Sequence, residues 1–208
     1  MKKLYKYKNY LIVTILAAII FLLFLKLTNI YPFGNLSLSR SDSYNQYQPL
    51  IFNYIASIKT HNLSIYSFNI GLGTPLAFSY IYYFASPLNI IALLFNNIND
   101  MCFTLTLIRI ILTSIFAKLY LSKKIDNEWI STIGSLSYTF SGWLVTYYDQ
   151  YIWLDIFMIF PLFQYGLVEL LEKKKIYLYI YTLSFMLISN FYLTFSICIY
   201  TLFYFFIY

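Results

Sequence analysis

From Tyr10 to Leu25 the chain carries no charged side chain. A helix that is apolar on every side has no face for water and belongs in lipid or in a large core. The run follows a basic start, Met1-Lys-Lys-Leu-Tyr-Lys-Tyr-Lys8. A secretory signal would end in a small-residue cleavage pattern. Lys26 and the stretch Thr28–Gly34 follow instead, without one. The pattern predicts an uncleaved transmembrane helix over about 10–27, its N-terminus in the cytoplasm.

Comparable runs predict helices over 101–121, 129–148 and 152–171. The last apolar stretch, 176–208, is interrupted by Ser189-Asn-Phe-Tyr192. It reads as one long tilted helix or as two hinged at Asn190, over 176–189 and 191–208. A span needs about 20 apolar residues. The run 78–95 is broken by Pro87, and the lysines decide its fate. If it does not span, Lys2, Lys3, Lys6, Lys8, Lys118, Lys123, Lys124, Lys173, Lys174 and Lys175 share one side. These are 10 of the 14 basic residues. If it spans, every later cluster moves across the membrane. The positive-inside rule selects the first choice and makes 78–95 an interfacial or re-entrant part of a large outer loop, about 28–100.

Composition excludes the alternatives. The 208 residues, about one domain by length, are 61% hydrophobic and 11% charged, with mean hydropathy +0.67. So few charges cannot cover a water-facing surface. A soluble domain, a disordered chain and a nucleic-acid-binding domain are all excluded. The 24 tyrosines and 20 phenylalanines suit membrane interfaces. Cys102 and Cys198 lie far apart in apolar stretches, with neither a disulfide framework nor a metal-ligand spacing. The expected fold is an all-α polytopic bundle of five or six spans, with short interfacial helices in the outer loop. The chain stops inside an apolar run, Phe203–Tyr208, as expected of the N-terminal portion of a longer membrane protein.

Three places carry chemistry. In Ser37-Leu-Ser-Arg-Ser-Asp-Ser-Tyr-Asn-Gln-Tyr47, Asp42 lies at the outer boundary with Arg40 two residues away. A carboxylate base beside a forked anion binder suits group transfer from a phosphate leaving group. The structural alternative is that Asp42 caps a helix starting at Ser43. The second place is the turn Tyr147–Asp155, with Asp149 at its tip and Asp155 a turn into the next helix. The third is Arg109, on one stripe with Thr106 and Thr113. It must face protein or water, and would pair with a phosphate or with an outer aspartate. Asp126, Glu128, Glu169 and Glu172 read as solvated partners of inner lysines. His61 reads as a lone solvated histidine, and Gly71-Leu-Gly73 as a turn without the context of a dinucleotide site.

The ordered set Tyr31-Pro-Phe-Gly34, Ser41-Asp-Ser-Tyr-Asn-Gln-Tyr-Gln-Pro49, Gly71-Leu-Gly73, Tyr82-Tyr-Phe-Ala-Ser-Pro-Leu-Asn89, Ser135-Leu-Ser-Tyr-Thr-Phe-Ser-Gly142 and Ser189-Asn-Phe-Tyr192 resembles the N-terminal part of the bacterial YfhO membrane-protein family. That family looks like the GT-C class of polytopic glycosyltransferases. The resemblance implies a sugar donor on a polyprenyl phosphate, used at the outer face of the bacterial cell membrane. It implies a cell-envelope polymer such as (lipo)teichoic acid as acceptor, and a donor-making membrane glycosyltransferase as a partner. It places the catalytic aspartate of the first outer loop at Asp42 and a second acidic residue at Asp149 or Asp155. Arg40 or Arg109 would hold the carrier phosphate. No resident cofactor is implied, and a divalent metal is compatible but not obligatory. The rival readings are a transporter or flippase of a lipid-linked or anionic substrate, and a non-catalytic membrane scaffold.

Overall fold

The computed structural model describes residues 2–62, 64–68, 70–75 and 80–208. Helix α1 (Lys2–Leu27) leads into a loop that holds α2 (Gln48–Lys59). A two-stranded antiparallel hairpin follows, β1 (Tyr66–Ser67) with β2 (Thr74–Pro75). After it come a π-helical turn at Tyr80–Phe84 and a 3-10 helix at Pro87–Leu94. Then come α3 (Ile98–Lys124), α4 (Glu128–Thr139), α5 (Gly142–Tyr147), α6 (Tyr151–Lys173), α7 (Tyr177–Ser189) and α8 (Phe191–Ile207).

Three helices are long and apolar enough to cross a membrane: Lys8–Leu27, Ile98–Lys124 and Tyr151–Lys173. Helices α7 and α8, with 13 and 17 residues, are shorter. On α1, Val13, Ala17, Phe21 and Leu25 are buried four residues apart, while Leu11, Ile15, Ile19 and Leu23 are exposed. An apolar stripe against protein with an equally apolar outer face is what lipid, not water, permits.

The centre of the bundle is α3 against α6, with α1 and α4 also on α3 and α7 on α6. The buried positions of α3 recur every three or four residues: Cys102, Leu105, Thr106, Arg109, Ile110, Thr113, Ala117. That period places them on one side of a helix. Gly166 lets α6 and α7 approach, since a Cβ there would lie 2.8 Å from the Tyr179 backbone nitrogen.

The region 78–95 does not form a spanning helix among its described residues; Phe78 and Ser79 lie outside them. Pro87 starts the 3-10 helix, and the Ser86 side chain accepts from the Leu88 N–H at its start. The last apolar stretch is two helices hinged at Asn190, whose Oδ1 accepts from Leu193 N–H and whose Nδ2 donates to the Ile152 carbonyl. The run 129–148, expected as one helix, is two. Phe140 ends α4, and Ser141 is extended before α5 begins at Gly142.

The glycine motifs of the loop have steric reasons. A Cβ on Gly34 would sit 2.1 Å from the Asn29 carbonyl oxygen, so the chain reversal after α1 admits no side chain there. Gly73, at φ +109°, packs on the Tyr66 ring inside the hairpin.

The ends of the bundle differ. One carries the described residues of the loop 28–97 and the turn at Tyr148–Gln150; the other carries Lys123, Lys124 and Lys173–Lys175. The lysine end departs from expectation in one pair. Lys118 is fully buried, donating to the Glu128 carboxylate and carbonyl and to Ser131 Oγ at 2.6–2.8 Å. The pairs Lys124–Glu172 and Lys173–Glu169 involve exposed lysines, as expected. Lys118 differs because the α3–α4 hairpin folds Glu128 back over it, so its ammonium is satisfied without water.

Candidate functional site

The loop segment 39–47 and the turn 147–151 are a hundred residues apart in sequence and are fastened together at the loop end. Ser43, in a π-helical turn spanning Ser43–Tyr47, donates its hydroxyl to the Asp149 carbonyl. Ser39 Oγ and the Tyr151 hydroxyl are 2.6 Å apart and buried. Ser39 and Ser43 are spaced by four, and both meet the same turn. The wider π turn is a local irregularity often found at functional sites.

These fastenings set Arg40, Asp42 and Asp149 around one patch. The Arg40 guanidinium lies over the Tyr148 ring, 4.7 Å from its centroid. Asp149 is 5% exposed. Burial raises its carboxyl above the usual carboxylate range; its own backbone N–H, the Arg40 charge, the Arg40 backbone N–H and the Gln150 amide oppose the rise. Net desolvation wins, so the carboxyl holds its proton more tightly than a solvated one. Tyr47 is pushed up to about 12, first by burial and then by the negative charges of Asp42 and others including Asp149. It therefore stays a neutral hydroxyl beside the two carboxyls. Its ring meets Tyr83 at 5.5 Å, and Gln46 donates to the Tyr83 hydroxyl.

Asp42 is exposed. It has helical torsions, φ −61° and ψ −33°, and its side chain makes no cap hydrogen bond. Helix capping does not account for its presence.

Arg109 and Asp155 sit apart from this patch as a buried pair, 2% and 1% exposed. The contact is two-pronged: Nε to Oδ1 at 2.8 Å and Nη2 to Oδ2 at 3.2 Å. Arg109 also donates to the Leu105 carbonyl, Asn89 Oδ1 and Ser86 Oγ. The guanidinium thus ties α3 to α6 and to the 3-10 helix. Of the two partners open to it from sequence, an outer aspartate is the one it meets.

Sequence reasoning found Arg40, Asp42 and Asp149 but not what joins them: Ser39, Ser43, Tyr47, Tyr148 and Tyr151. The serine spacing was the one readable signal. Among the described residues, no cluster of three or more His, Cys, Asp and Glu could hold a metal ion. Cys102 and Cys198 are free thiols.

No similar curated protein and no similar solved structure was found. The family model described as bacterial membrane protein YfhO matches residues 13–208. With the apolar helices able to cross a membrane, that match over nearly the whole chain places it: the chain belongs to the YfhO family of bacterial membrane proteins.

Proposed function

We propose that the protein moves a sugar from a polyprenyl-phosphate carrier onto a cell-envelope polymer such as (lipo)teichoic acid, in the manner of GT-C glycosyltransferases. The loop end faces outward and the lysine end lies in the cytoplasm, following the positive-inside rule. The observation that carries the reading is the convergence of Arg40, Asp42 and Asp149 from two distant segments onto one accessible patch.

Asp42, exposed and sharing Tyr47 as a neighbour with Asp149, takes the proton from the acceptor hydroxyl. The freed oxygen attacks the anomeric carbon, and the bond to the carrier phosphate breaks. Arg40 neutralises the departing phosphate, its plane held by Tyr148. Asp149 is the second acidic residue: its carboxyl accepts from the Arg40 backbone N–H and its carbonyl from Ser43, which holds the loop against the turn. Arg109 and Asp155 support the site from below by fixing the 3-10 helix. A phosphate is already a good leaving group, so the scheme does not require a metal.

Asp42→Asn tests the base. It keeps shape but not basicity, and general-base help is worth roughly 10²–10⁴-fold. The variant inserts normally and loses transfer by that factor, read as sugar on the envelope polymer in a strain lacking the native gene. Near-normal glycosylation would overturn the assignment.

A transporter reading draws on the helix breaks at Ser141 and Asn190 and on the buried Arg109–Asp155 pair, features of discontinuous-helix carriers. It requires substrate movement that survives Asp42→Asn, so the same variant separates the two.

A further inference from the structure

We propose that a second cavity at the loop end binds the ring of a neutral sugar, apart from the Arg40–Asp149 patch. The cavity holds about 610 Å³, within the ~300–1,000 Å³ of small-molecule sites. Its polar lining comes from Tyr31, Asn35, Ser37, Tyr44, Gln48 and Asn99, and no charged residue lines it. Amides, hydroxyls and aromatic faces without charge match a pyranose. Each sugar hydroxyl both donates and accepts, as amides and hydroxyls can in return. A phosphate or carboxylate would find no counter-charge.

The lining is built rather than incidental. Gln48 is 4% exposed, yet it reaches the cavity. Tyr31 is held by its hydroxyl's hydrogen bond to Asp100. The turn that carries Asn35 is set by Gly34 against the Asn29 backbone and by the Leu36 N–H bond to the Asn29 carbonyl. Among the described residues, no hydrogen bond within the protein occupies the side-chain amides of Asn35 and Asn99 or the Tyr44 hydroxyl. These groups stand ready for a ligand.

The cavity and the patch use different sides of one helical segment. Ser43 and Tyr47 are buried on the side that meets the Tyr148–Tyr151 turn. Tyr44 and Gln48, one turn apart, face the cavity. The inference therefore does not depend on sugar transfer at Asp42.

The test is saturation-transfer NMR on the full chain in nanodiscs free of sugar-headed lipid and detergent. The probes are methyl β-D-glucopyranoside and methyl N-acetyl-β-D-glucosaminide. At least one gives a saturation signal, and Tyr44→Ala and Asn35→Ala each reduce it several-fold. Both residues are exposed, so neither change threatens the fold. Asp42→Asn retains the signal, which separates failure of this site from failure of the transfer chemistry. Glucosyl diacylglycerol in the discs competes with the glycoside if the ring arrives on a lipid, and does not if it arrives on a polymer or free; either result supports a ring site. Absence of signal from both glycosides, or wild-type signal in both cavity variants, overturns the proposal.

Discussion

Two arginine–aspartate couples lie towards the loop end of the bundle, and they are built in opposite ways. Arg109 and Asp155 are sealed from solvent, two-pronged and further satisfied by Asn89, Ser86 and the Leu105 carbonyl. Arg40 is exposed, stacked on Tyr148, and reaches Asp149 through its backbone N–H and its charge. Asp149 is buried without a matching two-pronged partner, so desolvation outweighs its hydrogen bonds. The lesson is that burial alone does not assign a role. A buried carboxylate matched by a two-pronged guanidinium holds elements together; one left under-compensated stays available for proton chemistry.

The largest expected break in this comparison is at the sealed pair. Asp155→Asn or Arg109→Leu leaves one buried group uncompensated, at a cost of about 3–5 kcal/mol. Thermal unfolding in detergent or nanodiscs reads it. The double change Arg109→Leu with Asp155→Leu recovers much of that loss, because no lone charge remains. If Asp155→Asn is as well tolerated as Asp149→Asn, the two couples are not different in kind.

The second prediction concerns the pH dependence of the open couple. Asp149 binds its proton more tightly folded than unfolded. Its burden is absent below the unfolded carboxylate range and grows as pH rises through its raised folded pKa. The chain therefore loses stability across that window. Asp149→Asn removes this slope and unfolds at an equal or higher temperature at neutral pH, while transfer activity falls. A steeper slope in the variant, or a drop in stability comparable to Asp155→Asn, would place Asp149 with the structural carboxylates.

The smallest effect isolates the Arg40 stack. Tyr148→Leu removes the ring face under the exposed Arg40 guanidinium, a contact worth about 0.5–1 kcal/mol. Donor KM should rise. Tyr148 is itself buried and packs edge-on against Phe24, so some thermal stability is lost with it, and the KM change is the reading that reports on the stack. An unchanged KM would mean that the stack does not orient Arg40 for its substrate.

Much of the architecture was legible because hydropathy is carried by contiguous residues. The run 10–25 predicted the helix found. The interruption at Asn190 left one helix or two, and the structure has two. Pro87 argued against a span, and it starts a 3-10 helix. The break at Ser141 was not legible. Tyr138-Thr-Phe-Ser-Gly142 is apolar enough to continue a helix, and only the Ser-Gly pair hinted otherwise. Lys118 read as one more inner lysine, since its burial depends on Glu128 folding back across the α3–α4 turn.

The sequence by itself determined a membrane helix bundle with one basic end and one loop-bearing end, and it marked Arg40, Asp42, Arg109, Asp149 and Asp155 as the charges needing explanation. At that level Asp155, just inside the membrane edge, was the better functional candidate and Asp149 read as a wet hairpin tip, while the family resemblance did not decide between them. Only the tertiary structure separated them, because their fates depend on what lies across the bundle: Arg109 on α3 for one, and Ser43 and Arg40 of the loop for the other. Hydropathy sums over neighbours in the chain and can be read along it; a charge is compensated by neighbours in space, which the chain order does not display.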